Sequence, residues 1–367
     1  MERALAKPRD RQGAGPVKRR IRLMIVDDSM IARAVLSRIV ESDDAFELAA
    51  VAGTAEDAID ALRAVHVDIV LLDLEMPGAG GLRMIPEILG AAGGARVMIV
   101  SSLADEGKEQ TIAALALGAT DAMPKPGTGR FNGRFAEVLL AKLKSIGFAE
   151  EERGLAEPIK LQGYGPMRAM PADPIGLLAI GASTGGIHAI SALFQALPAK
   201  IGVPILVTQH LPQPFMPVFA RQLGIAARRE TLVAENGMKL VPDRIIVAPG
   251  DAHLGIESFG GAYVVKLSKE PVESGCLPSV DPMFASAGVE FGSSAVGVIL
   301  TGMGRDGTIG ARRLVACGGS VLAQDETSCA VWGMPRSVIE AGLACAVMPP
   351  DKIARRIASR SGDMPCK

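Results

Sequence analysis

Residues 175–186 read Ile175-Gly176-Leu177-Leu178-Ala179-Ile180-Gly181-Ala182-Ser183-Thr184-Gly185-Gly186, a short apolar run that breaks into a glycine-rich turn carrying a serine. Two further runs end in the same way. Val203–Val207 leads into Thr208-Gln209-His210, and Val296–Leu300 leads into Thr301-Gly302-Met303-Gly304-Arg305-Asp306. Short apolar runs separated by helical stretches read as strands buried on both faces of a parallel sheet. Sites in such sheets form beyond the carboxyl ends of the strands. Ser183, His210 and Asp306 therefore fall at one edge of one sheet, as a hydrolase nucleophile, its base and the group orienting the base would.

Working outward, the block from Ile175 to Arg360 holds further strand candidates at Arg244–Ala248, Ala262–Leu267, Ser320–Ala323 and Cys345–Met348. The run Ala262–Leu267 alternates and reads as an antiparallel edge hairpin. Upstream, Phe148–Pro174 holds Glu150-Glu151-Glu152 and then Gly163, Gly165, Pro166, Pro171 and Pro174, with no apolar period. It reads as a flexible linker with room for a short helix at its start. Before it, Ile21–Gly147 alternates strands at Ile21–Val26, Glu47–Ala52, Ile69–Leu72, Arg96–Val100 and Asp121–Met123 with helices at Ile31–Val40, Ala55–Val65, Leu82–Leu89, Glu109–Leu117 and Arg134–Ser145. The expected fold is α/β: two doubly wound parallel-sheet domains over 21–147 and 175–360, joined by a linker over 148–174. Residues 1–20, rich in Lys, Arg, Pro and Gly, are expected to be a disordered basic extension without the apolar stretch of a secretory signal.

Composition narrows the function. The chain has 367 residues, 49% hydrophobic and 22% charged, with a formal net charge of -1. That balance gives no global field for nucleic acid or an anionic membrane. No run is long enough to span a bilayer. Cys276, Cys317, Cys329, Cys345 and Cys366 form no C-x-x-C pair. An odd count of that kind fits reduced thiols and a cytoplasmic location.

In the first block Asp27 and Asp28 close the first strand, Asp73 the third, Ser101 the fourth and Lys125 the fifth. Three crowded carboxylates repel unless a cation joins them, and Mg²⁺ suits an all-oxygen donor set. An aspartate beside such an ion can accept a phosphoryl group. Lys125 would pair with the phosphoryl oxygens, and Ser101 would donate to one. Asp27-Asp28-Ser29 also reads as a helix cap, and Lys125-Pro126 as a surface turn. Val26-Asp27-Asp28-Ser29, Leu71-Leu72-Asp73-Leu74-Glu75-Met76-Pro77-Gly78, Val100-Ser101-Ser102 and Met123-Pro124-Lys125-Pro126 together resemble the receiver domain of two-component response regulators. The resemblance implies phosphorylation of Asp73 by a histidine kinase, with Mg²⁺ held by Asp27, Asp28 and Asp73. Ala122 stands where the family often has an aromatic residue.

In the second block Gly181-Ala182-Ser183-Thr184-Gly185 matches G-x-S-x-G, a turn that exposes a serine hydroxyl. A glycine-rich turn before a helix can also cradle phosphate, so a nucleotide-binding reading stands beside it. Of the four histidines, His66 lies at a helix end, His188 inside a helix, and His253 in a turn as a substrate contact or plain loop residue. His210 is the one at a strand end, in reach of a serine. Asp306 either orients His210 or caps the next helix. Its rival Asp281, in Ser279-Val280-Asp281-Pro282, reads as a cap with proline in the first turn. The chain order Ser, His, acid differs from the α/β-hydrolase order.

Ile180–Gly186, Gln209-His210-Leu211-Pro212, Ala248-Pro249-Gly250-Asp251, Pro278-Ser279-Val280-Asp281, Leu300–Gly307, Ala323-Gln324-Asp325-Glu326 and Gly333-Met334-Pro335 resemble the catalytic domain of the chemotaxis protein-glutamate methylesterases, the CheB family. The resemblance implies attack by Ser183 on glutamate methyl esters of chemoreceptor cytoplasmic helices, with His210 as base and Asp306 behind it. It also implies backbone amides of Met303 and Thr184 at the oxyanion, deamidation of receptor glutamines, no cofactor at the esterase site, and a receiver lying across the cleft until phosphorylated. No nucleic-acid partner and no membrane insertion are expected. Arg305 stands where the family often has Asn. The rival reading is a response regulator whose second block binds a nucleotide or protein without catalysis.

Overall fold

The computed structural model describes residues 19–76, 81–126, 133–155 and 167–360, with side chains from 149 to 155 left aside. Residues 1–18 of the expected N-terminal extension and 156–166 of the expected linker lie outside these residues.

The first sheet has five parallel strands: β1 (Ile21–Val26), β2 (Phe46–Ala52), β3 (Ile69–Leu72), β4 (Arg96–Ser101) and β5 (Asp121–Pro124), in the order β2-β1-β3-β4-β5. Their connecting helices are α1 (Met30–Glu41), α2 (Ala55–Ala64), α3 (Gly81–Ala91) and α4 (Asp105–Ala116). β3 is Ile-Val-Leu-Leu and buried throughout, as a central parallel strand must be. The order turns back between β1 and β3, so Asp27 and Asp73 flank the crevice where a doubly wound sheet takes its ligand. The last helix, α5 (Gly133–Leu155), runs ten residues past the expected end at Ser145. The sequence Ala149-Glu150-Glu151-Glu152-Arg153 is rich in strong helix formers and holds no stop signal, so the helix extends into what reads as linker.

The second sheet has seven parallel strands in the order β14-β13-β12-β6-β7-β9-β8. They are β6 (Leu177–Ala182), β7 (Ile205–Gln209), β8 (Thr231–Val233), β9 (Ile245–Val247), β12 (Ala295–Ile299), β13 (Ser320–Gln324) and β14 (Ala346–Met348). Helices α6 (Gly186–Ala196), α7 (Met216–Ala227), α8 (Val280–Phe291), α9 (Thr308–Ala316), α10 (Met334–Glu340) and α11 (Pro350–Ala358) cover it. This order turns back between β6 and β12.

The alternating run is not at an edge of this sheet. It forms β11 (Ala262–Ser268), which pairs antiparallel with β10 (His253–Phe259) through a Gly260-Gly261 turn as a separate two-stranded sheet. Leu254, Ile256 and Val265 share one face of the ribbon and join the core beneath it.

Candidate active site

Register brings the three candidate chemical residues together. Gly181 pairs with Ile299 on one side and Thr208 on the other. The ladder then continues past the strand ends: the Ser183 amide donates to the Thr301 carbonyl at 3.0 Å, and the His210 amide to the Ala182 carbonyl at 3.0 Å. Gln209 Nε2 donates to the Ser183 carbonyl at 2.8 Å. Ser183 and His210 therefore leave adjacent strands side by side.

Asp306 sits across from them and is 2% exposed. Its Oδ2 accepts from His210 Nε2 at 2.8 Å and from the Val280 amide at 2.7 Å, and its Oδ1 accepts from the Ser279 hydroxyl at 2.5 Å. Burial alone would raise this carboxyl, but the donors from His210, Ser279 and Val280 outweigh it and hold the group well below the usual carboxylate range. With Nε2–H committed to Asp306, His210 keeps Nδ1 as its basic atom. No hydrogen bond links the Ser183 hydroxyl to His210 among the described residues.

The amides of Thr184 and Met303 donate to no acceptor among the described residues. Both are close to the serine. A Cβ on Gly302 would stand 2.7 Å from Ser183 Cβ, so only glycine lets the Met303 loop approach. Gly185 adopts φ 76° against Ala330, which bends the chain into α6 immediately after the serine.

Several readings of the sequence need correction. Asp306 does not cap α9, whose N-cap is Gly307 with no side-chain cap bond. Asp281 is not the cap of α8. Ser279 is, accepting from the Asp281 amide, while Asp281 reaches across to the Gly310 amide at 2.7 Å. Burial first, and then the nearby charge of Asp306, push the Asp281 carboxyl up to about 6. His253 is neither a turn residue nor exposed to substrate. It opens β10 at 2% exposure, its Nδ1 accepting from the Ser279 amide at 3.0 Å and its Nε2 donating to the Glu270 carbonyl at 2.9 Å. His253, Ser279 and Asp306 thus form a buried chain behind His210. Sequence reasoning missed the first two. Their one signal is the Pro278-Ser279-Val280-Asp281 stretch, which reads as a helix start and as part of the family resemblance but names no partner for Asp306.

In the first sheet, ligand oxygens of Asp27, Asp28 and Asp73 all lie within 4.8 Å of one another. Ser29, not an aspartate, caps α1. Lys125 Nζ lies 2.7 Å from Asp27 Oδ2 and 2.7 Å from Asp73 Oδ2. Burial raises the Asp73 carboxyl, Lys125 opposes this, and Asp27 adds to it, leaving a net rise. Burial alone would lower Lys125, but its two carboxylates raise it. Asp27 Oδ2 is buried and, despite its ion pair with Lys125, lacks an aligned hydrogen bond. An under-satisfied carboxylate oxygen in an all-oxygen donor set fits Mg²⁺. The Ser101 hydroxyl bonds to none of these groups among the described residues and donates to Thr111 Oγ1 at 2.5 Å, since Thr111 spends its own proton on the Gly107 carbonyl.

A family model described as CheB methylesterase matches residues 178–357, and one described as response regulator receiver domain matches residues 23–130. The chain is 38% identical over 344 residues to protein-glutamate methylesterase/protein-glutamine glutaminase 2 of Caulobacter vibrioides, covering 93% of this chain and 99% of that protein. It is 39% identical over 352 residues to the protein of the same name in Shewanella oneidensis, covering 94% and 99%. The chain belongs to the CheB methylesterase family. The crystal structure of the Thermotoga maritima CheB methylesterase catalytic domain aligns with 37% identity and a TM-score of 0.49, over 50% of this chain and 98% of that one. As a CheB methylesterase the chain is a carboxylic ester hydrolase fused to a receiver domain. A binding module without catalysis has no support among these relatives.

In this CheB methylesterase the receiver grips the turn after Ser183. The Gly185 amide donates to the Thr120 carbonyl at 2.6 Å, and the Thr184 hydroxyl donates to Asp121 Oδ2 at 2.7 Å. Asp121 also pairs with Lys142 at 2.6 Å. Arg221 of α7 pairs with Glu109 of α4. Val331, which bonds to Thr301 and Gly302 beneath the Met303 loop, joins the apolar cluster of Phe135 and Leu139 on α5. Among the described residues no helix is long and apolar enough to cross a membrane.

Proposed function

We propose that Ser183, His210 and Asp306 hydrolyse glutamate methyl esters on the cytoplasmic helices of chemoreceptors, in the cytoplasm, and that the receiver restrains them until Asp73 is phosphorylated. The observation that carries this reading is the 2.8 Å His210–Asp306 bond at the end of the strand next to Ser183. Ser183 Oγ would attack the ester carbonyl as His210 Nδ1 takes its proton. Rotation of the serine on binding substrate closes that contact, as resting enzymes often require. The open amides of Thr184 and Met303 would receive the oxyanion. The imidazolium then protonates the departing methoxy oxygen and methanol leaves. Water attacks the acyl-serine, gives a proton to His210 and frees the glutamate, and His210 returns a proton to Ser183. A glutamine substrate follows the same course with ammonia as the leaving group.

At the receiver site Asp27, Asp28 and Asp73 would hold Mg²⁺, which supplies positive charge near the phosphoryl oxygens. Asp73 accepts the phosphoryl group from a histidine kinase. Lys125 pairs with that group, and Ser101 donates to it after turning from Thr111. Lys125 terminates the strand that carries Asp121, so its movement pulls on the grip at Thr184.

Methanol release from methylated receptor membranes tests the reading. Ser183→Ala is expected to lose about a thousandfold or more of the wild-type rate. Equal release from both proteins rejects the serine mechanism.

A further inference from the structure

We propose that His210, Cys276 and Asp306 form a binding site for a zinc-like divalent cation, and that its occupation shuts off the esterase. One ligand atom from each of the three residues lies within 4.8 Å of the others. Tetrahedral zinc, with bonds of roughly 2.0–2.3 Å, needs donors roughly 3.3–3.7 Å apart, so a small inward movement completes the set. The Cys276 thiol donates to the Ser274 carbonyl at 3.8 Å, a bond it gives up on losing its proton to an ion. Cys276 lies three residues before Ser279, whose hydroxyl bonds Asp306 at 2.5 Å, and its amide donates to Ser274 Oγ at 3.4 Å. His210 and Cys276 are both half-buried, which leaves the site open to an ion from solvent.

The donor chemistry selects the ion. One imidazole nitrogen, one thiolate and one carboxylate suit a borderline-soft cation, whereas the Asp27, Asp28 and Asp73 oxygens suit a hard one. A divalent ion, a thiolate, a carboxylate and a neutral imidazole sum to zero charge, with the thiol proton released to water. Three protein ligands leave a fourth position for water.

The inhibitory half rests on the catalytic reading above. Bound through Nδ1, the ion takes the lone pair that would accept the serine proton. Bound through Nε2, it displaces the proton held by Asp306. Either way the base is lost.

The experiment uses the full chain with Mg²⁺ present to fill the receiver site. Zinc chloride is titrated against a chromophoric zinc indicator, alkylation of Cys276 by iodoacetamide is followed by peptide mass, and methanol release is measured in the same samples. Wild type is expected to bind one more zinc equivalent than Cys276→Ala or Cys276→Ser, to be protected at Cys276, and to lose about tenfold or more of its activity. The two variants, active without zinc, are expected to change less than about twofold at the same zinc concentration. Equal zinc uptake by wild type and both variants, or alkylation of Cys276 unaffected by zinc, overturns the site. Zinc bound at Cys276 with methanol release undiminished overturns the inhibition. Indicator and alkylation readings need no esterase activity, and the zinc-free rate of wild type against Ser183→Ala judges the catalytic reading separately.

Discussion

Asp73 and Asp306 occupy matching places in two different sheets. Asp73 directly follows β3 and Asp306 lies in the loop after β12, each strand being beside the point where strand order turns back, and each carboxylate is almost fully buried, at 3% and 2% exposure. Their charges are nevertheless held in opposite ways. Asp73 accepts from Lys125 and the Glu75 amide but faces Asp27, and its carboxyl is raised. Asp306 accepts from His210, Ser279 and Val280, and its carboxyl is lowered. Burial is common to both, so the number and sign of the groups around each carboxylate decide its state. An uneasy carboxylate suits a group that is to be modified, and a satisfied one suits a group that must stay charged while another residue reacts.

The sharpest way to break this contrast is Asp306→Asn. It keeps the shape but loses the charge opposite His210, and methanol release is expected to fall by about 10³–10⁴-fold. A fall of less than about tenfold would remove Asp306 from the role given to it. A second test addresses the link between the sheets. Asp121→Ala removes the acceptor for the Thr184 hydroxyl, and a lost hydrogen bond of about 1 kcal/mol predicts a rise in unphosphorylated activity of about fivefold. An unchanged basal rate would mean that this bond restrains nothing.

The smallest effect concerns Asp73 itself. Its folded pKa is raised, so its charged form weakens the fold. That penalty is absent below the unfolded value near 3.8 and grows as pH rises through the folded value. In metal-free buffer Asp73→Asn is therefore expected to melt about 2–4 °C higher than wild type at neutral pH, with the gain vanishing near pH 3.8. A lower Tm at neutral pH would contradict the sign. In the same variant, stimulation by beryllium fluoride and Mg²⁺ should be lost.

Both sheet edges were legible because parallel strands announce themselves as short apolar runs, and each run ended at its chemical residue. β1 and β3 fell at the expected residues, and β6, β7 and β12 within two residues at their carboxyl ends. The three-residue β8 (Thr231–Val233) was not legible, being too short to show a period. His253 was misread because a Pro-Gly-Asp turn precedes it, while its partners Glu270 and Ser279 lie 17 and 26 residues away. Cys276 gave no local signal, since its neighbours in space come from the residue after β7 and the loop after β12. The Asp121–Thr184 bond spans 63 residues and two sheets, beyond any pattern along the chain.

Thr184 has its hydroxyl on the receiver and, among the described residues, an amide without an acceptor next to Ser183. On the proposed mechanism one residue is thus both handle and working part. A small molecule that competes for Asp121 and prises the handle loose would be an activator, switching the enzyme on in cells that lack the kinase signal altogether.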